Sequence, residues 1–285
     1  MTRLVSWGEL LWDLFPDGPR LGGGAANVAY HAAVLGAEAA LVSRVGNDEL
    51  GRRAVAELSA KGVDVSAVQV DAAAPTGSVR VELEDGEPHF TLAQGAAWDR
   101  IRAPEASFLQ SADVICFGTL AQRTPLASGE LSRALGGATL LRVCDLNVRP
   151  PHTTREAIDA AIRQADAIKL NEGEAAVLRE MYAVTDVVEL LLRSAHTVAL
   201  TRGARGSTLY THAQEVSRDG LAIPHDAGDR VGAGDAYTAV LALGLARRLP
   251  LEELAERANR YAAWVASMPG AMPPPPSFLG DVIIK

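Results

Sequence analysis

Short apolar segments and longer amphipathic ones alternate along this chain, and few folds accept that rhythm. "RLVSWGE" reads as a first strand and "ANVAYHAAVLG" as a helix closed by Gly36. "AALVSRVG" reads as a second strand and "LGRRAVAELSAKG" as a second helix closed by Gly62. "ADVICFG", "TLLRVCDLN", "DAIKLN" and "TVALTRG" follow as strands separated by helical stretches. Such alternation implies an α/β layered fold with a mostly parallel sheet. Ligands in such folds gather at the carboxyl ends of the strands. The length of 285 residues suits one large domain or two small ones, and 48% hydrophobic residues supply a sizeable core.

Residues 76–92 break the rhythm. In "TGSVRVELEDGEPHFTL", Val79, Val81 and Leu83 alternate with Arg80, Glu82 and Glu84, and Asp85-Gly86 is a hairpin signal. This reads as a one-sided antiparallel hairpin outside the parallel core. Its apolar face needs a cover: a ligand, the main domain or a second subunit. The plainer alternative is a decorative hairpin. "MPPPPSF" near the C-terminus reads as a stiff loop.

Composition narrows the function. The formal net charge is -8, from 27 basic and 35 acidic residues, which disfavours nonspecific nucleic-acid or anionic-membrane binding. The three lysines are Lys61, Lys169 and Lys285, so the remaining basic residues are arginine. Cys116 and Cys144 each sit inside an apolar run and read as buried free thiols, not a disulfide or metal pair. No histidine has metal-ligand spacing with a cysteine. Glu9 and Asp13 interrupt the N-terminal apolar stretch, so no signal peptide is expected. Nor is a transmembrane helix expected. A reducing cytoplasm fits these features.

Two glycine-rich turns precede helical stretches. "DRVGAGDAY" at 229–237 places Gly232, Ala233 and Gly234 before Asp235. One reading is a tight turn with Asp235 as helix cap. The other uses the same geometry: unpaired N–H groups at a helix start hold phosphate oxygens, and the neighbouring carboxylate takes a proton from an attacking hydroxyl. "LGGGAANVA" at 21–29 is a second bare turn. It is neither a G-x-G-x-x-G fingerprint, because Asn27 stands at the third glycine position, nor a P-loop. Asn27 and Asp13 are suitable donor and acceptor for a polyol, or plain surface caps. Asn171 and Glu174 in "KLNEGE" read first as a capping-box pair. Their alternative role is to order water around Mg²⁺ and phosphates. Gly203 and Gly206 in "LTRGARGSTLY" fit a hairpin or a loop supporting a nucleotide.

Together these segments resemble the ribokinase-like (PfkB) carbohydrate kinase family along nearly the whole chain and in order. The C-terminal signature D-T-x-G-A-G-D is matched by Asp229 to Asp235, with Arg230 where the family often has threonine. G-G-x-x-x-N is matched by Gly22, Gly23 and Asn27, N-x-x-E by Asn171 and Glu174, and the first-strand carboxylate by Asp13. "GELLWDLFP", "AAWDRI" and "CDLNVRPP" look most similar to bacterial fructokinases and related hexose or keto-sugar kinases.

The resemblance implies a single three-layer α/β/α domain, with a small β lid drawn mainly from residues 9–20 and 72–99. It implies transfer of the ATP γ-phosphoryl group to a sugar hydroxymethyl. Asp235 would be the general base, and the N–H groups of Gly232, Ala233 and Gly234 the anion hole. Asp13, Gly23, Gly24 and Asn27 would hold the sugar, and Arg149 would meet substrate or phosphate. Asn171 and Glu174 would organise Mg²⁺ largely through water. Thr201, Gly203, Gly206 and Asn259 would line the nucleotide. Asp229 would serve a monovalent cation such as K⁺, where the Val231 side chain offers no ligand and backbone carbonyls would have to. A helix N-terminus is expected to lower the Asp235 pKa, with incoming phosphates pushing the other way.

Fructose is the first acceptor this reading suggests, then 2-keto-3-deoxygluconate, with ribose and nucleosides behind. A Rossmann dehydrogenase lacks its glycine fingerprint here. A noncatalytic sugar or nucleotide sensor on the same scaffold is the non-enzyme alternative. A homodimer joined through the lid is expected, with neither nucleic acid nor membrane as partner.

Overall fold

A computed structural model describes residues 1–15, 18–84, 87–223 and 227–277, leaving aside the side chains of 81–90. In chain order the strands are β1 (Arg3–Trp7), β2 (Leu11–Phe15), β3 (Gly18–Gly22), β4 (Glu38–Gly46), β5 (Val68–Asp71), β6 (Gly77–Glu84) and β7 (Glu87–Leu92). They continue with β8 (Val114–Gly118), β9 (Leu141–Asp145), β10 (Ala167–Asn171), β11 (Thr197–Thr201), β12 (Ser207–Thr211) and β13 (Glu215–Arg218). The helices are α1 (Gly24–Val34), α2 (Glu49–Ala60), α3 (Ala106–Gln110), α4 (Pro125–Leu135) and α5 (Arg155–Gln164). After them come α6 (Glu172–Tyr182), α7 (Val187–Leu192), α8 (Ala233–Ala246) and α9 (Leu251–Ala266).

The main sheet runs β13-β12-β11-β10-β9-β8-β1-β4-β5. It is parallel from β5 to β11, and β12 and β13 add antiparallel pairs at one edge. Residue alternation sorts each strand between two cores. Val5, Trp7, Ile115, Phe117, Cys144, Ile168 and Leu170 pack on the face of α4 to α7. Leu4, Val114, Cys116, Val143 and Ala167 pack against α1, α8 and α9. Cys116 and Cys144 are therefore buried free thiols on opposite faces, as expected.

Local chemistry sets the helix ends. Asp48 caps α2 by accepting from Gly51 N–H at 2.8 Å, and Thr124 caps α4 ahead of Pro125. Gly36 and Gly62, with φ of 83° and 87°, end α1 and α2.

The second sheet runs β3-β2-β6-β7. The expected hairpin is its β6–β7 pair, antiparallel from Val79↔Leu92 to Glu84↔Glu87, with the Asp85-Gly86 turn outside the described residues. Leu10 and Trp12 at the root of this sheet are buried with Ala26, Tyr30, Leu41 and Leu58, which seats it against α1 and α2. Leu11–Phe15 of "GELLWDLFP" forms β2, so Asp13, matched above to a first-strand carboxylate, stands on the second strand, in the small sheet.

Candidate active site

Strand order reverses at β1: β4 and β5 lie to one side, β8 to β11 to the other. The carboxyl ends of β1 and β8 therefore flank the crevice where parallel sheets collect ligands. Ser6, Trp7, Glu9, Gly118, Asp145, Asn147, Gly24 and Asp235 line a narrow cavity there, with room of about 20 Å³. That is space for a water molecule.

Asp235 enters this cavity from the first turn of α8. Gly232 is the N-cap, left-handed at φ 78°, and a Cβ there would stand 2.7 Å from Ala271 Cα. The first helical bond is Ala236 N–H to Gly232 O at 2.8 Å, so the N–H groups of residues 233–235 precede it. Asp235 does not cap the helix: no side-chain cap bond exists, and its Oδ2 accepts instead from Asn27 Nδ2 at 2.7 Å. The expectation that the helix start would depress its pKa is also overturned. Burial, then the Asp145 carboxylate, push Asp235 up to about 7, against the pull of Asn27 and Lys169.

The three glycines at 22–24 make room for three different things. A Cβ on Gly22 would stand 2.5 Å from Asp13 Oδ2, and one on Gly23 would stand 2.4 Å from the Glu9 carbonyl. Gly24 donates its N–H to Glu9 Oε1 at 2.9 Å, and a Cβ on it would stand 3.4 Å from Asp235 Oδ1. Asn27, 5% exposed, leaves its Oδ1 buried with no hydrogen-bond partner among the described residues.

A second cavity, about 320 Å³, lies along the other side of the α8 start. Thr201, Gly203, Gly206 and Asn259 line it, together with Ala233 and Gly234. Leu221, Ile223, Ala262, Ala263 and Ala266 give it an apolar wall suited to a base. Asn259 spends its amide on the carbonyls of Arg218 and Asp219, at 3.1 and 3.2 Å. It holds the end of β13 in place.

Asp13 faces a third cavity, about 240 Å³, with Phe15, Arg20, Lys61, Asp229, Val231 and Met272. Burial raises its pKa to about 6 despite nearby Arg20. Asp229 accepts from Val231 N–H at 3.1 Å and Gly270 N–H at 2.8 Å, tying the glycine turn to the segment after α9. Asn171 and Glu174 form the capping box: Glu174 N–H donates to Asn171 Oδ1 at 2.9 Å, and Asn171 N–H to Glu174 Oε2 at 2.8 Å. Exposed Arg149 is close enough to Glu9 and Glu174 to oppose the upward push of burial on their pKa values. Among the described residues, no group of three or more His, Cys, Asp or Glu is placed to hold a metal ion.

Comparison with known proteins matches residues 18–277 to the pfkB family carbohydrate kinase model. The chain belongs to the pfkB carbohydrate kinase family. It is 33% identical to a fructokinase of Klebsiella pneumoniae over 258 residues, covering 84% of this chain and 83% of the relative. A crystal structure of a sugar kinase from Pyrococcus horikoshii, 25% identical, superposes with a TM-score of 0.85 over 99% of this chain and 100% of that one. The same kinase has also been solved in complex with ATP, 26% identical to this chain with a TM-score of 0.83 over 94% of each. The fold is thus ribokinase-like, and the chain is a sugar kinase of the pfkB family.

Reading the sequence of this pfkB kinase missed several residues that its centre contains. Glu9, Asp145, Asn147 and Lys169 carried no recognised spacing. A signal was present, since Lys169 interrupts the apolar "DAIKLN" and Asp145 ends the apolar "LLRVCD". A charge inside a buried strand must be paired.

Proposed function

We propose that this pfkB kinase transfers the γ-phosphoryl group of ATP to a hydroxymethyl group of fructose, with Asp235 as general base. The observation that carries this is the first turn of α8 serving as a shared wall. Ala233 and Gly234 face the proposed nucleotide cavity while Asp235 faces the narrow cavity at the strand ends. A γ-phosphoryl group at that wall lies between open N–H groups and a carboxylate.

In the proposed step the sugar oxygen bonds to the γ-phosphorus as the bond to the ADP oxygen breaks. The hydroxyl proton passes to Asp235. A base with a pKa of about 7 suits this, because about half of it is ionised at neutral pH and the ionised form still accepts a proton readily. The N–H groups of residues 233–235 would take up phosphate charge, as positioning and charge neutralisation dominate phosphoryl transfer. The unpartnered Asn27 Oδ1 is suited to a sugar hydroxyl, and Asp13 to a second one.

Mg²⁺, when bound with ATP, neutralises phosphate charge. Asn171 and Glu174 engage each other, so they would meet it through water. Asp229 likewise uses both oxygens on backbone N–H groups, so a K⁺ ion would rely on backbone carbonyls of the same loop. The reading includes a cytoplasmic setting and a homodimer joined through the small sheet, which sedimentation would test.

The deciding experiment is ADP release with Mg-ATP across sugars and nucleosides, beside Asp235→Asn. Turnover of fructose, lost in the variant, is expected. Turnover of 2-keto-3-deoxygluconate or ribose instead would replace the acceptor. ATP binding with no turnover would mark a sensor.

A further inference from the structure

Lys169 has no part in the phosphoryl-transfer scheme above. It is 5% exposed in the middle of β10, between Ile168 and Leu170. A buried ammonium is costly and persists only where its partners repay desolvation. Its Nζ donates to both Asp145 oxygens at 3.0 Å, across neighbouring strands in direct register. Asp145 Oδ2 in turn accepts the Thr238 hydroxyl of α8 at 2.7 Å. On its other side, Nζ lies 2.9 Å from where a Cβ on Gly234 would stand. The ammonium therefore presses against the bare backbone of the same turn that lines the nucleotide cavity.

We propose that Lys169 is a positioning residue for phosphoryl transfer: with Asp145 and Thr238 it pins the first turn of α8 to the sheet and sets a fixed positive charge behind the anion hole. This rests on the assignment of Asp235 as base. Gly234 is glycine on this account because any side chain would displace the ammonium.

The groups acting on Asp235 come from four places in the fold. Asp145 of β9 and Glu9 beyond β1 raise its pKa, while Asn27 of α1 and Lys169 of β10 lower it. Further out, Glu174 of α6 acts on Lys169, and Arg149 acts on Glu9 and Glu174. Removing the cation and removing the anion should thus move the base in opposite directions.

The test measures kcat/KM against pH for Lys169→Met and Asp145→Asn, with ADP affinity by calorimetry as a check on the nucleotide site. Lys169→Met is expected to lower kcat by roughly 10²-fold, in the range of lost transition-state donors. Its acid limb should move to higher pH, and that of Asp145→Asn to lower pH, with ADP affinity held within a few-fold. A Lys169→Met enzyme with wild-type kcat and an unmoved limb overturns the proposal, as do limbs moving the same way. If Lys169→Met does not fold, Lys169→Met/Asp145→Asn removes both charges together. Full activity in that double variant also overturns the proposal. Undiminished turnover by Asp235→Asn would sink the general-base reading itself, which is a separate result.

Discussion

The side-chain amide of Asn27 donates to the Asp235 carboxylate at 2.7 Å, joining residues 208 positions apart in the chain. One closes the first turn of α1 and the other stands in the first turn of α8, so two helix starts converge on one carboxylate. A hydrogen bond to a charged group contributes about 1.5–3 kcal/mol. Asn27→Leu should therefore lower kcat/KM roughly 10–100-fold. Its acid limb should move to higher pH, since the amide favours the ionised form. A steady-state pH series reads both effects. A variant changed only in KM, with its limb in place, would assign Asn27 to sugar binding alone.

The raised pKa of Asp235 also sets the sign of a stability effect. Between the ordinary carboxylate value of 3.8 and about 7, the folded protein holds a proton that the unfolded chain has released. Stability therefore falls as pH rises through this window. Asp235→Asn removes the group that must charge. The variant should melt at a higher temperature than the wild type at pH 8, and the gap should close towards pH 4. Thermal melts at the two pH values decide it. A gap independent of pH would mean the carboxylate is not held against its own ionisation.

The layered fold was legible because each strand and helix carries its own period. The β6–β7 hairpin of the small sheet was legible too, since "VRVEL" alternates and Asp85-Gly86 is a turn signal, whereas β2 and β3 were implied only by the family resemblance. The pairing was not. β2 runs parallel to β6, from Leu11↔Gly77 to Leu14↔Arg80, and nothing local in either segment specifies a partner so far away. That Thr201, Gly203, Gly206 and Asn259 share one cavity was legible only through the family resemblance, which groups them. The capping pair at Asn171 and Glu174 was legible from spacing alone. What stayed hidden was electrostatic. That Asp235 would rise and not fall depends on Asp145 and on burial, which arise only when β9 and α8 meet.

Two left-handed glycines separate local strain from steric demand. Gly36 and Gly232 have φ of 83° and 78°, but only Gly232 faces backbone, with Ala271 Cα 2.7 Å from its would-be Cβ. The conformational cost of alanine at either is about 1–2 kcal/mol. Gly36→Ala should pay that alone and keep wild-type kcat. Gly232→Ala should lose more stability and also turnover, because Ala271 must move and the α8 turn with it. Paired denaturant titrations and kcat measurements test the contrast, and equal losses in the two variants would refute it.

Asp99 belongs to "AAWDRI", one of the segments that looks like fructokinases, yet the structure gives it a supporting duty. Its two oxygens accept from Arg123 Nε and Nη2 at 2.6 and 2.7 Å, with both side chains under 10% exposed. The same guanidinium donates to the Ala93 carbonyl at 3.2 Å and stacks 4.1 Å from the Trp98 ring centroid. The pair thus ties the chain leaving β7 to the turn before α4, at the root of the small sheet. Breaking a buried ion pair by removing one partner costs about 3–5 kcal/mol, because the other charge stays behind uncompensated. Asp99→Asn should lower stability by about that amount, while the folded enzyme keeps its order of preference among sugars. Chemical denaturation gives the first quantity and the sugar panel the second. If the order of preference changes while stability holds, Asp99 acts in acceptor choice and not in holding the small sheet.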